Sequence, residues 1–161
     1  MSKVFTEYSK EFDRQVAAIE SMQNSYVLIG FQEGSTTHSQ VKNNRKKEGG
    51  LSMAQIAAEN EFGTRTIPAR PFLVPAFDEN RDMVNNAILG EYNKILNGES
   101  TVKQSLKLLG VLGVSLVQKK IRSIYFPQNS FRTIQEKGSS KPLIDFGQMI
   151  QSVKSKVVIN K

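Results

Sequence analysis

The sequence contains no cysteine, no tryptophan and a single histidine, which limits the kinds of catalytic and metal-binding site that it can form. Without cysteine the chain has no disulfide, no thiol nucleophile and no zinc site built from several Cys and His ligands. The histidine, His38, lies in the polar segment 34–40, whereas a catalytic triad needs a base that is held rigidly. We therefore expect neither an enzyme nor a bound metal or other cofactor.

Long apolar runs are also missing. The longest, at 108–117, is far shorter than the roughly 20 residues that a transmembrane helix requires. The first twelve residues, MSKVFTEYSKEF, lack the apolar core of a signal peptide. The sequence thus predicts no membrane partner and an unprocessed protein of intracellular origin.

Positive charge is present in excess, and it is unevenly distributed. The net charge is +7 over 161 residues, but residues 1–100 carry a net −2 and residues 101–161 a net +9. A basic region of this density is typical of a surface that faces nucleic acid or an acidic neighbouring subunit. A solvated basic face without a partner is the alternative interpretation.

The first half of the chain shows clear local signals. Apolar residues at spacings of three and four predict an amphipathic helix over 4–22, and the β-favouring run 26–31 predicts a buried strand. Ser52 and Gln55 fit a capping box that opens a helix over 53–62, and Gly63 is expected to close it.

Between and after these elements we expect two long flexible loops, at about 32–50 and 127–141. Three prolines within 68–75 exclude a regular helix or central strand there, so this segment is expected to be extended and rigid. The chain then predicts one long helix from Pro75 to Gly98, with a buried stripe of Phe77, Val84, Ile88 and Ile95.

A second long helix is expected over about 102–125, in which Gly110 and Gly113 would permit the close approach of another backbone. A glycine turn and one helical turn should precede a final strand over 153–159 that pairs with 26–31. The predicted fold is a single α+β domain over 1–161, with a small, mostly antiparallel sheet packed against several helices. The inward residues predicted for the second long helix are Leu106, Leu109, Leu116, Ile121 and Ile124.

Three segments together resemble one known family: IAAENEFGT at 56–64, IPARPFLVPAFDENR at 67–81 and KPLIDFGQMIQSV at 141–153. In this order and spacing they are similar to the tail-completion, neck and virion-morphogenesis proteins of tailed bacteriophages. In that family an Asn-Glu-Phe-Gly-Thr helix end leads into an Ala-Arg-Pro-Phe-Leu segment, and a Leu-Ile-Asp-Thr-Gly-type motif precedes the last strand. Phe146 stands here where the family more often has Thr.

The resemblance implies a structural component of the virion tail or neck, made in the host cytoplasm. Its subunits would form a homo-oligomeric ring between the tail tube or terminator and the head connector, and double-stranded DNA would pass through the ring during packaging or ejection. The matching motif residues either pin the chain internally or contact neighbouring subunits. They are Glu61, Phe62, Gly63, Arg70, Pro71, Phe72, Leu73, Asp145 and Gly147.

A small basic DNA-binding or DNA-packaging accessory protein is the alternative function. It would bind DNA with an affinity that falls steeply with salt, whereas a ring subunit needs little affinity for free DNA. In either case the basic residues of the loops and of the C-terminal third are candidates to contact DNA or a partner. These are Arg45, Lys46, Lys47, Lys119, Lys120, Lys137 and Lys141.

Overall fold

A computed structural model describes residues 2–32, 52–65, 68–123, 135 and 147–159. The two expected loops, apart from Gln32 and Gln135, lie outside these residues. The described chain forms six helices and two strands. In chain order they are α1 (Ser2–Met22), β1 (Tyr26–Phe31), α2 (Met53–Phe62), α3 (Leu73–Asp78), α4 (Arg81–Leu96), α5 (Val102–Ile121), α6 (Gln148–Ser152) and β2 (Val153–Val158).

The two strands pair with each other in an antiparallel sheet. With the helices, this sheet confirms the predicted α+β class and the pairing of the last strand with 26–31. The prediction that the strand at 26–31 is buried is wrong, because the face of β1 that carries Tyr26 and Leu28 is exposed. Lys154 and Lys156 on β2 are exposed, as the partial alternation of that strand predicts. The left-handed backbone of Gly147 (φ 69°) starts α6 immediately before β2, so the predicted glycine turn is also confirmed.

Local capping signals fix both ends of α2. The Ser52 hydroxyl accepts a hydrogen bond from the Gln55 backbone N–H at 3.2 Å, and the Gln55 side chain accepts one from the Ser52 N–H at 2.8 Å. Gly63 follows the helix with φ 73° and ψ 172°, a region that is essentially open only to glycine. The capping box and the closing glycine are thus both confirmed.

The single long helix expected from Pro75 to Gly98 is wrong, because the chain forms two helices, α3 and α4. Asn80, with φ −120° and ψ 22°, leaves the helical region and separates them. Asparagine favours such positions because its side chain offers the backbone alternatives to helical hydrogen bonding. Within α4, Ile88 is 46 % exposed although the stripe was expected to be buried.

The end of α4 and the start of α5 follow standard capping rules. Gly98 has φ 75°, and its N–H and that of Glu99 donate to the carbonyls of Ile95 and Lys94, which forms a Schellman motif. Thr101 and Gln104 then form a reciprocal capping box that begins α5. The predicted stop at Gly98 is therefore confirmed.

Helix α5 ends at Ile121, earlier than the expected 125. Leu116 and Ile121 are buried as predicted, whereas Leu106 and Leu109 are only half-buried and Ile124 lies outside the described residues. At Gly110 an added Cβ would lie 2.8 Å from Ser155 Oγ. The close approach expected at this glycine is real, but a side chain of β2 makes it and not another backbone.

The chain divides into two compact units. Unit 1 comprises 1–29, 80–113 and 155–161, and unit 2 comprises 30–79 and 114–154. The core of unit 2 includes Phe72 and Val117, which are 1 % and 0 % exposed. In unit 1 only Ile95 and Val102 are buried hydrophobic residues among those the structure describes. That the whole chain is one domain stays a prediction.

Candidate functional site

The Glu61 carboxylate at the end of α2 caps the start of α3. It accepts hydrogen bonds from the backbone N–H groups of Phe72, Leu73 and Val74 at 2.7, 2.9 and 3.0 Å. These are first-turn donors that have no partner within their own helix, and no cap side chain of α3 satisfies them. A negative charge at this end also interacts favourably with the helix dipole. Glu61 therefore joins α2 to the Arg-Pro-Phe-Leu segment.

Asn60 makes a second connection to the same segment. Its carbonyl accepts a hydrogen bond from the Arg70 backbone N–H at 2.6 Å, and its side-chain oxygen accepts one from the Arg70 guanidinium at 3.4 Å. Arg70 is buried, and this burial lowers the pKa of its guanidinium below its ordinary value. The guanidinium is thus part of the interior of unit 2.

Phe72 anchors the segment in the core of unit 2. Its ring packs edge-on against Phe31, with the centroids 5.9 Å apart. Glu61, Arg70 and Phe72 contact other parts of the same chain, as expected if these residues pin the chain internally. For these three side chains, burial leaves little surface for a neighbouring subunit.

The exposed part of the motif is different. Phe62 is 79 % exposed, so it is neither a pin nor a core residue. Pro71 is also exposed, and Leu73 is half-buried. A large aromatic ring held outward by a capped helix end is typical of a contact residue. A subunit contact at Phe62 and Pro71 stays a prediction.

The basic candidates fall into two groups. Lys119 is exposed at the end of α5, whereas Lys120 is half-buried and forms an ion pair with Glu79 at 2.5 Å. Lys120 is therefore engaged within unit 2 and is a poorer candidate for a phosphate contact than Lys119. Five basic candidates and one acidic motif residue lie outside the described residues. These are Arg45, Lys46, Lys47, Lys137, Lys141 and Asp145.

Sequence reasoning predicted the apolar stripe of the amphipathic helix α1 but missed that this stripe is exposed. Tyr8 is 76 % exposed, Phe12 58 %, Ile19 44 % and Val16 38 %. The signal was present in the spacing, but spacing alone does not tell whether a face packs within the chain. The structure therefore adds this exposed apolar face to the candidate surfaces.

A second missed feature is a charged pair inside unit 1. Glu91 on α4 is 9 % exposed, and its carboxylate accepts a 2.7 Å hydrogen bond from Lys94. That bond, with a smaller contribution from the Ser105 hydroxyl, lowers the pKa of Glu91, and the same bond raises the pKa of Lys94. The i, i+3 spacing of the pair was visible in the sequence.

The described ranges hold no group of three or more His, Asp or Glu side chains that could bind a metal. His38 lies outside them. No helix within those ranges is long and apolar enough to cross a membrane. The chain matches no protein-family model, and neither a curated protein nor a solved structure is detectably similar to it.

Proposed function

We propose that this chain is a structural virion protein of a tailed phage, a tail-completion or neck component. Its subunits form a homo-oligomeric ring at the head–tail junction, and double-stranded DNA passes through that ring. The proposal begins from the three motif segments that resemble this family, at 56–64, 67–81 and 141–153. It is tested by whether the chain assembles with itself and where it lies in a particle.

The observation that carries the proposal is the apolar surface of unit 1. The exposed stripe of α1 includes Tyr8 and Phe12, and α4 adds Leu89 at 59 % and Met83 at 48 % exposure. Exposed apolar patches often mark interaction sites. In the proposed ring, each subunit buries these side chains against its neighbours.

The geometry of unit 2 also supports a role in assembly. Glu61 and Asn60 fix the start of α3, so Phe62 and Pro71 are presented on a rigid backbone. Rigid presentation lowers the entropy that is lost when two surfaces associate. A ring subunit acts through such contacts and needs no catalytic group.

The exposed lysines of the basic C-terminal third are compatible with the DNA-binding alternative. Lys119, Lys154 and Lys156 are exposed, and they belong to the region with a net charge of +9. A packaging accessory protein would use such residues to neutralise phosphates. In the ring proposal the same residues face either the passing DNA or acidic neighbouring rings.

Association experiments with a matched pair of variants test the proposal. We expect sedimentation of the wild-type chain to show concentration-dependent closed oligomers that persist in 0.5 M salt, because apolar burial drives them. Phe12→Ser with Val16→Ser should weaken this association at least about tenfold, since two exposed apolar side chains together contribute roughly 1.5–3 kcal/mol of burial. Lys10→Ser with Asp13→Ser, on the same helix, is the control and should assemble normally.

The DNA-binding alternative makes the opposite prediction. It expects a monomer whose micromolar affinity for DNA falls steeply between 50 and 200 mM salt. A chain that stays monomeric at every concentration, binds DNA in this way and is absent from particles would overturn the ring proposal.

A further inference from the structure

Unit 1 contains a cavity with the volume of one aromatic ring. Its volume is about 140 Å³. A cavity of about 150 Å³ with aliphatic walls is large enough to bind benzene. The walls here are likewise mostly apolar and come from the end of α1 and from α4 and α5. They include Met22, Ile88, Ile95, Val102, Leu106 and Leu109.

The same cavity is lined by one carboxylate, that of Glu91. Its Oε1 accepts the hydrogen bond from Lys94. Its Oε2 is buried and accepts no well-formed hydrogen bond from a described residue, although the Ser105 hydroxyl lies close enough to contribute to the lowered pKa of Glu91. The neighbouring Ser105 hydroxyl donates to Ser100 at 2.9 Å. A buried acceptor without a donor is costly and uncommon. The cavity therefore suits an apolar ring that carries one hydrogen-bond donor.

We propose that this cavity binds the phenol ring of Tyr8 from a second copy of the chain, with the Tyr8 hydroxyl donating to Glu91 Oε2. A tyrosine side chain combines a ring of the required size with a single O–H donor. Tyr8 is 76 % exposed, and the exposed Phe12 lies one turn further along the same face of α1. That ring is thus available to a neighbouring molecule.

The Tyr8 ring that fills this cavity belongs to another copy of the chain, because the Tyr8 of the same chain lies too far from the cavity to reach it. Met22, at the other end of α1, lines the cavity, and 14 helical residues span about 21 Å. A contact between two different patches of the same chain is heterologous, and heterologous contacts generate closed rings when the rotation between subunits closes. The inference rests on the proposed ring and names one of its subunit contacts.

The first test examines the cavity with small probes and does not depend on assembly. p-Cresol has the ring and hydroxyl of a tyrosine side chain, and toluene has the ring without the donor. In ¹H–¹⁵N spectra of the Tyr8→Ala chain we expect both to shift the signals of Ile88 and Leu109, with p-cresol binding roughly tenfold more tightly. Equal affinities, or no binding of either probe, would overturn the assigned chemistry of the cavity.

The second test identifies the occupant and uses the absence of cysteine in the chain. Glu11 lies one turn from Tyr8, and Leu89 lies next to Ile88 at the cavity; both are exposed. A mixture of Glu11→Cys and Leu89→Cys chains should form disulfide-linked pairs on mild oxidation. Adding Tyr8→Ala to the first chain should reduce their yield at least fivefold, whereas Tyr26→Ala, at another exposed tyrosine, should leave it unchanged.

The outcomes separate this inference from the proposed ring. If rings form but the mixed pair does not cross-link, even at millimolar concentration, then the Tyr8 contact is wrong and the ring proposal stands. If the pair cross-links but the chain is absent from tailed particles, the contact is supported and the proposed location is wrong. A cross-link whose yield does not depend on Tyr8 would also overturn the inference.

Discussion

Units 1 and 2 differ sharply in where they keep their apolar residues. Unit 1 buries only Ile95 and Val102 among its described hydrophobic residues, and it exposes aromatic and aliphatic side chains on three helices. Unit 2 exposes only Phe62 and Val74 among its described large hydrophobic residues. Unit 2 therefore has a buried apolar core of its own, whereas most described apolar side chains of unit 1 are exposed and would be covered only in the proposed assembly.

The polar interiors differ in the same way. In unit 2 the buried Glu61 accepts three backbone hydrogen bonds, whereas in unit 1 the buried Glu91 has one oxygen that accepts no well-formed hydrogen bond from a described residue. Completed hydrogen bonding is typical of a finished core. In the proposed contact, a hydrogen-bond donor from a partner would satisfy the Glu91 oxygen beside the apolar cavity.

The largest expected effect contrasts one aromatic residue from each unit. Phe72→Ala in unit 2 should lower the free energy of unfolding by about 3–5 kcal/mol, because it empties a fully buried site next to Phe31. Phe12→Ala in unit 1 should change it by less than about 0.5 kcal/mol in the free chain. Urea unfolding monitored by circular dichroism measures both. Similar losses for the two variants would break the comparison.

The next effect concerns the cap of α3. Glu61→Gln should cost about 1–3 kcal/mol, since the neutral amide has one acceptor oxygen where the carboxylate uses two and carries the charge. Glu59→Gln, two residues earlier on α2, is the matched control and should cost little. Chemical denaturation again gives the difference. A cost at Glu59 equal to that at Glu61 would show that the cap is not the cause.

Two glycines of unit 1 should respond with opposite signs. Gly110→Ala should destabilise the chain by about 1–3 kcal/mol, because the new Cβ would lie 2.8 Å from Ser155 Oγ. Gly90→Ala, on α4 with open space around it, should stabilise by about 0.5–1 kcal/mol. Adding Ser155→Gly should recover part of the loss at Gly110. Thermal melts of the three variants and the wild type test this, and a neutral Gly110→Ala would contradict the packing described for α5 against β2.

The smallest effect is a dependence of stability on pH. The hydrogen bond from Lys94 lowers the pKa of Glu91 in the folded chain below the ordinary 4.5. A lowered folded-state pKa contributes stability above pH 4.5 that is lost as the pH falls through the folded value. Glu91→Gln should therefore flatten the decline of melting temperature below pH 4.5. The raised pKa of Lys94 predicts the converse loss above pH 10.5.

A Glu91→Gln variant that declines with acid as steeply as the wild type would remove Glu91 as the source. Glu99→Gln is the control, because Glu99 is exposed and interacts with Lys94 only as a minor partner. It should leave the acid branch of the profile unchanged.

Local features of the fold could be predicted because their causes are local. The capping box at Ser52 and the positive-φ Gly98 and Gly147 follow from residue types at fixed spacings. The break at Asn80 could not be predicted in this way, because a mid-pattern asparagine is also tolerated in exposed helix.

The candidate site was predictable only in part for a related reason. The resemblance pointed to Glu61 and Phe72, and their spacing of eleven residues allowed a pin, but only the fold shows three backbone donors converging on one carboxylate. The apolar stripe of α1 was also visible in the sequence. Whether a stripe packs inward or stays exposed depends on tertiary contacts that periodicity does not encode.

The proposal that this chain is a neck protein of a tailed phage is tested most directly by a cryo-electron microscopy reconstruction of the neck of tailed particles purified from the source of the sequence. The account predicts a closed ring of this chain between tail and head connector, with the α1 stripe of each subunit covered by its neighbour and Tyr8 seated against Glu91. Particles that lack the chain, or a ring in which the faces of unit 1 remain open to solvent, would contradict it.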